Sequence, residues 1–333
     1  MERELIDKVF AVSPGQFEAL ALEVFRFQYD HNPLYRRYAD ALHRPKEAVR
    51  TLRSIPFLPI RFFKSHQIMT TPFRPETVFE SSGTTGSLNS RHFVKDAGIY
   101  RHSFTRAFEH FYGSPSNWCI LGLLPSYLER SGSSLTLMAE DLIRMSGHPD
   151  SGFYIHEHEK LYEVLQRLEA SGQPVLLLGV TFGLLDFAEK YPLQLRHTLV
   201  METGGMKGRR REMTRQELHE TLQQSWGVEV IHAEYGMTEL LSQAYSAGNG
   251  VYEGPDWMQA LIREEEDPLE VQDAAGLPAR GSSGVLNLID LANLYSCAFI
   301  ATDDLGKLYP DGRFEVLGRI DNSDIRGCSQ LLL

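Results

Sequence analysis

Four short apolar runs in the middle of the chain leave little freedom in how it can fold: WCILGLL (118 to 124), PVLLLGV (174 to 180), HTLVMETG (197 to 204) and VEVIHAEYG (228 to 236). They lack the polar alternation of half-exposed strands and read as strands buried on both faces. Between them lie HEKLYEVLQRLEASG (158 to 172) and TRQELHETLQQSWG (214 to 227), whose apolar residues recur at the spacing of surface helices. Thr214 followed by Glu217 has the form of a capping box and sets the start of the second. This alternation predicts a mostly parallel or mixed sheet with helices on its faces.

The flanks differ. Ser13 and Pro14 read as an N-cap and first helical residue, and Phe17, Leu20, Ala21, Val24 and Phe25 follow at helical spacing, predicting a helix over about 14 to 29. Pro33, Pro45, Pro56 and Pro59 break the next segment into short helices and turns. From about residue 250, SGVLNLIDL, YSCAFIATDDLG and the pair KLYP and RFEVLGR around PDG read as short strands with a hairpin. The expected organisation is an α/β fold, with a helix-flanked core over 1–250 that includes the helical N-terminal segment, and a smaller β-rich subdomain with a short tail over 251–333.

Charge narrows the partners. With 44 acidic and 33 basic residues the chain carries a net charge of -11, which opposes nucleic acid and anionic membrane surfaces. No run approaches the ~18 apolar residues of a membrane span, and MERELIDKVFAVSPG lacks the form of a signal peptide. No nucleic-acid partner, no membrane insertion and a cytoplasmic location are expected. Cys119, Cys297 and Cys328 are an odd number with no CxxC pair, which supports neither a disulfide framework nor a zinc knuckle.

The stretch FESSGTTGS (79 to 87) follows an apolar run with small hydroxyl residues and glycines. Ser81, Ser82, Thr84 and Thr85 offer hydroxyl protons, and Gly83 and Gly86 let the main chain turn its N–H groups toward a phosphate. It is neither a Walker A loop nor GxGxxG, and alone it reads equally as a plain surface loop or linker.

Three distant segments give it company. HAEYGMTEL (232 to 240) places Tyr235, Gly236, Thr238 and Glu239 after a buried strand, where α/β proteins hold ligands. ATDDLG (301 to 306) supplies Asp303 and Asp304, and GRIDNSDIRG (318 to 327) supplies Arg319 and Asp321. In type and order these segments resemble the adenylate-forming superfamily. LLPSYLERSGSSL (123 to 135), METGGMKGR (201 to 209) and the stop soon after GRIDNSDIRG resemble, within it, the acyl-protein synthetase or long-chain fatty acid luciferin-component ligase family, related to phenylacetate-CoA ligase. The resemblance covers nearly the whole chain.

What the resemblance implies is ATP-dependent activation of a carboxylic acid, expected to be fatty, to acyl-AMP, then transfer to a thiol. It implies an adenylate-forming N-terminal core, with the mobile C-terminal domain and its catalytic lysine absent. Ser81, Ser82, Gly83, Thr84, Thr85 and Gly86 would hold the ATP phosphates; Tyr235, Gly236 and Thr238 would line the nucleotide site, with Gly204 and Gly205 as the wall against the adenine. Asp304 would accept the ribose hydroxyls and Arg319 would reach the ribose, while Glu239 would hold Mg²⁺ beside Thr85. Asp303 and Asp304 also fit a structural turn at a strand end, and Glu239 a solvated helix-start acid.

The pattern departs from the superfamily in two places. No proline-lysine pair follows Gly86, so the basic group there would be Arg91. For the missing lysine, Lys207 or Arg209 is the candidate cation at the α-phosphate, and a solvated basic loop is the alternative. Relatives pass the acyl group to a cysteine near the C-terminus. Cys328 is that candidate, against a bystander tail thiol, with a fatty acid reductase or acyl carrier protein as further acceptor. Rival readings are a CoA ligase whose missing domain comes from another chain and a non-catalytic nucleotide-binding module. His156 and His158 read as a solvent-facing helix start, Phe104, Phe108, Phe111 and Tyr112 as a core stripe, and the apolar residues of 179 to 187 as possible walls of an acyl cleft.

Overall fold

Local capping and burial decide most elements of the computed structural model, which describes residues 2–81, 88–124, 132–204 and 213–320. The described residues cluster into two compact units, each drawing on distant stretches: those within 1–104, 236–244 and 253–320 form one, and those within 105–235 and 245–252 the other.

The second unit holds the alternating segments. Its sheet includes, side by side in this order, Gly152–Phe153, Cys119–Leu123, Val175–Val180, Thr198–Thr203 and His232–Tyr235. Cys119 pairs in parallel with Val175, Val175 with Thr198 and Met201 with His232. Cys119–Leu123 and Val175–Val180 are buried at every residue, which is why they show no polar alternation. The helices Ser134–Ser146, His158–Ser171, Thr181–Lys190 and Arg215–Trp226 accompany them. The capping box is formed in both directions: the Glu217 N–H donates to Thr214 Oγ1 at 3.2 Å, and the Thr214 N–H donates to Glu217 Oε2 at 2.7 Å. Trp226 closes that helix against the core, fully buried, its indole N–H donating to the Tyr191 carbonyl at 3.2 Å.

In the first unit, the strands Phe314–Arg319, Phe299–Leu308, Ser282–Asp290, Met258–Arg263 and Val271–Gln272 lie side by side in that order and antiparallel. Leu58–Pro59 joins them in parallel, Leu58 opposite Ile300. The expected hairpin around PDG is present, closed by the Tyr309 N–H to the Arg313 carbonyl at 2.8 Å with Gly312 at φ 87°. Gly306 of ATDDLG sits at a bulge, where a Cβ would lie 2.6 Å from the Glu315 carbonyl and from Leu286. The sequence-predicted helix at 14 to 29 begins as a 3₁₀ turn, Pro14–Gln16, and continues as the α-helix Phe17–His31. Ser13 makes no side-chain cap; its hydroxyl donates to Gln16 Oε1 at 2.9 Å. Among the described residues, no helix is long and apolar enough to cross a membrane.

Polar side chains from the helix Phe17–His31, its C-cap Asn32 and the distant Thr70 grip the loop between two strands of the sheet. Gln28, fully buried, donates to the carbonyls of Asn293 at 3.0 Å and Leu294 at 2.8 Å, and accepts from the Ala298 N–H at 3.0 Å. Asn32 donates to the Ser296 carbonyl at 3.1 Å, and Thr70 donates to the same oxygen at 2.6 Å. Removing one partner from such a set leaves buried groups unsatisfied at about 1–3 kcal/mol each. Gln28→Leu is therefore expected to lower unfolding stability by ~3 kcal/mol or more, read from the urea midpoint at unchanged slope.

Candidate active site

The strands on either side of the Ser-Thr-Gly stretch are paired with each other. Thr77–Glu80 pairs antiparallel with Arg91–Val94, and the ladder continues from the Ser81 N–H to the Ser90 carbonyl at 3.0 Å and from the Ser90 N–H to Ser81 Oγ at 2.9 Å. Its two ends are thus held together, which a linker between separate bodies would not need. Ser81 is buried and serves as this anchor. Ser82, Gly83, Thr84, Thr85 and Gly86 lie outside the described residues, as do Gly205, Lys207, Arg209, Asp321 and Cys328. Arg91 is exposed, its guanidinium 5.6 Å from the centre of the Phe93 ring.

In the same unit, the turn carrying Thr238 and Glu239 is pinned from several sides. The His92 ring donates from Nδ1 to the Thr238 carbonyl at 2.9 Å, and Asn293 Nδ2 donates to the Glu239 carbonyl at 2.7 Å. Asp290 accepts from the Leu241 N–H at 2.7 Å and from the Ser242 hydroxyl at 2.6 Å. Burial pushes His92 down to about 4, so it stays neutral, and pushes Asp290 up to about 6. Glu239 is 3% exposed and lies in a turn, which corrects the alternative of a solvated helix-start acid. Asp303 and Asp304 lie inside the strand Phe299–Leu308, which corrects the alternative of a strand-end turn.

Two candidate residues meet directly. Asp304 and Arg319 are opposite partners on adjacent antiparallel strands, and Arg319 Nε donates to Asp304 Oδ1 at 2.8 Å. Asp304 is 4% exposed and Arg319 is half-buried, so the pairing is a charge-assisted bond shielded on its carboxylate side. The Ile320 N–H continues the ladder to the Asp303 carbonyl at 3.0 Å.

The second unit holds Gly204, in the left-handed region at φ 72°, and Tyr235, its ring 5.7 Å from that of Tyr252. Gly204 follows the strand Thr198–Thr203, and Tyr235 ends the neighbouring parallel strand. Sequence reasoning gave no role to the carboxylates beside them. Glu234 is buried, accepts from the Thr203 hydroxyl, and is pushed up to about 7 by burial, with Glu202 adding like-charge repulsion. Glu202 accepts from Thr181 Oγ1 at 3.2 Å, and its other oxygen faces His219 Nε2 at 3.8 Å and Arg215 Nε at 4.0 Å. The signal available was an acid at an inward position of an apolar strand, in HAEY and in VMET.

A sequence model of the family "Acyl-protein synthetase, LuxE" matches residues 13–333. The chain belongs to this family. As an acyl-protein synthetase it is an acid-thiol ligase that activates a carboxylic acid with ATP and transfers the acyl group. It is similar to the long-chain-fatty-acid–luciferin-component ligase of Aliivibrio fischeri, 21% identical over 368 residues spanning 98% of this chain and 92% of that one. Among solved structures, this synthetase is similar in fold to an open conformation of 2-hydroxyisobutyryl-CoA ligase in complex with 2-HIB-AMP and CoA. That match has 13% identity and a TM-score of 0.64, over 92% of this chain and 70% of that one. The same ligase in its postadenylation state with R3-HIB-AMP matches at 11% identity and a TM-score of 0.64, over 92% and 68%. The fold is the α/β architecture of adenylate-forming ligases.

The buried carboxyl of Glu234 makes stability depend on pH in a defined direction. Its folded-state value of about 7 exceeds the ordinary 4.5, so the folded protein keeps a proton that the unfolded chain releases. Its stabilising contribution is complete below pH 4.5 and is lost as pH rises through 7. Relative to wild type, Glu234→Gln is expected to gain about 3 kcal/mol between pH 4.5 and 7.5, measured by urea denaturation across that range.

Proposed function

We propose that the acid is a fatty acid, activated as acyl-AMP and passed to Cys328 of this chain or to a partner, a fatty acid reductase or acyl carrier protein. The direct pairing of Asp304 with Arg319 carries the assignment of the nucleotide residues, since two positions 15 residues apart, chosen for the same ribose, form one part-buried charge-assisted contact. Held by Arg319, the Asp304 carboxylate would be oriented to accept ribose hydroxyl protons. Ser81, Ser82, Gly83, Thr84, Thr85 and Gly86 would hold the phosphates. Tyr235, Gly236, Thr238, Gly204 and Gly205 would line the nucleotide.

Activation joins a carboxylate oxygen of the acid to the α-phosphorus and releases pyrophosphate. The protein's work is positioning and charge neutralisation, because both reactants are anions. Lys207 or Arg209 would meet the charge that grows on the α-phosphate. Glu239 fits Mg²⁺. No group of three His, Cys, Asp or Glu side chains among the described residues forms a metal cage, and Mg²⁺ needs only one or two carboxylates when phosphate oxygens and water complete its shell. Bound there, Mg²⁺ would neutralise phosphate charge, with Glu239 held in place by the pinned turn and assisted by Thr85.

Transfer then breaks the acyl–phosphate bond as a thiolate attacks the acyl carbon and AMP leaves. Two of the three thiols are poorly suited to it. Cys119 and Cys297 are fully buried, and burial pushes them up to about 11 and about 12, leaving almost no thiolate at neutral pH. This supports Cys328. The net charge of -11 and the lack of a long apolar helix among the described residues support a cytoplasmic location.

Acid-dependent exchange of pyrophosphate into ATP tests the first step, and labelled acyl thioester on the protein the second. Asp304→Asn is expected to lower exchange kcat/KM about 10- to 100-fold. Cys328→Ser is expected to keep exchange and to lose the protein-bound thioester. Exchange that depends on no carboxylic acid, or undiminished thioester on Cys328→Ser, would overturn the corresponding step.

A further inference from the structure

The strand that presents Asp304 to Arg319 has a second face. Successive side chains on a strand point to opposite sides, and Asp303 and Ala301 line a cavity of about 420 Å³ within the first unit. Much of its lining is apolar, from Tyr38, Leu42, Ile55, Phe57 and Leu269. Leu269 is 42% exposed, unusual for a large aliphatic side chain in this protein.

Cations of unequal standing also line this cavity. Arg53 is already neutralised, its Nε and Nη2 held by Asp273 at 2.9 and 2.6 Å. Arg61 has only a 3.7 Å approach to Asp303, and half-buried Arg44 has no side-chain hydrogen bond or ion pair among the described residues. Deepest is Arg263, 9% exposed. Its Nη1 donates to the Leu286 carbonyl at 3.0 Å and to Asn287 Oδ1 at 2.7 Å, and its Nη2 donates to the Thr302 carbonyl at 2.6 Å. All three acceptors are neutral. Asp304 is bonded instead to Arg319. The Nε donor of Arg263 has no acceptor among the described residues, and it shares the Nε–Nη2 edge that grips a carboxylate side-on. Asp303 and Asp304 act on Arg263 through space without bonding it, and Asp267 also lines the cavity; a buried cation with no bonded counter-charge in a largely apolar wall is the complement of an anion with an apolar body.

We propose that this cavity binds an aliphatic carboxylate, its head group on the Nε edge of Arg263 and its chain against Tyr38, Leu42, Ile55, Phe57 and Leu269. Arg44 and Arg61 would draw the anion in. The site lies on the opposite face of the strand from Asp304, so it is separate from the proposed ribose contact.

The test uses the full chain and octanoate carrying a terminal diazirine, with photolabelled peptides mapped by mass spectrometry. Saturable label is expected on peptides containing Leu42, Phe57 or Leu269, displaced by octanoate and not by octylamine or octanol. Arg44→Ala should weaken half-saturation about tenfold and Arg263→Met about thirtyfold, in keeping with loss of charge-assisted contacts. Arg263→Met also removes three buried hydrogen bonds, so where it does not fold, Arg44→Ala decides. No saturable label on those peptides, equal displacement by octylamine or octanol, unchanged half-saturation in Arg44→Ala, or stronger displacement by octyl phosphate than by octanoate would each overturn the proposal. Pyrophosphate exchange in the same preparation reports separately on the catalytic reading.

Discussion

A buried peptide group must find a partner, and this requirement organises the candidate site more than any single catalytic residue does. Among the described residues, the turn from Thr238 to Ser242 pairs with no strand. Its carbonyls and N–H groups are met instead by His92, Asn293 and Asp290. Asn293 in turn sits in a loop that Gln28 holds through its carbonyl, and Asn32 and Thr70 hold the same loop at Ser296. Glu239 is therefore placed by residues from four separate parts of the chain. Rigidity at the carboxylate proposed to hold Mg²⁺ comes here from contacts to its backbone and to its neighbours, the kind of support a metal-binding side chain needs.

Whatever depended on local pattern was legible in the sequence. The apolar runs became Cys119–Leu123, Val175–Val180, Thr198–Thr203 and His232–Tyr235, each beginning one to four residues inside the reading. Thr214 and Glu217 announced a helix start because both halves of a capping box lie within four residues. The N-terminal helix Glu2–Phe10 escaped notice: only Leu5, Val9 and Phe10 are buried along it, too sparse a stripe to stand out. Pairings such as Leu58 with Ile300 were also out of reach, since nothing in a two-residue strand specifies a partner more than two hundred positions away.

The candidate residues divide in the same way. Asp304 and Arg319 were chosen separately, from the order of segments along the chain, and the hairpin register brings them face to face. Glu234 was passed over because its character comes from neighbours on another strand. In isolation it is an ordinary carboxylic acid, and only packing against Thr203 and Glu202 makes it a group that titrates near neutrality. Environment of this kind is a property of the assembled sheet and leaves no mark in HAEYGMTEL.

The burial of Cys119 and Cys297 has an experimental corollary. Alkylating reagents attack thiolates, and these two sulfurs are both shielded and held protonated at neutral pH. Brief treatment of the native chain with iodoacetamide thus discriminates among its three cysteines without any engineering, and the extent of fast modification becomes a direct gauge of the third.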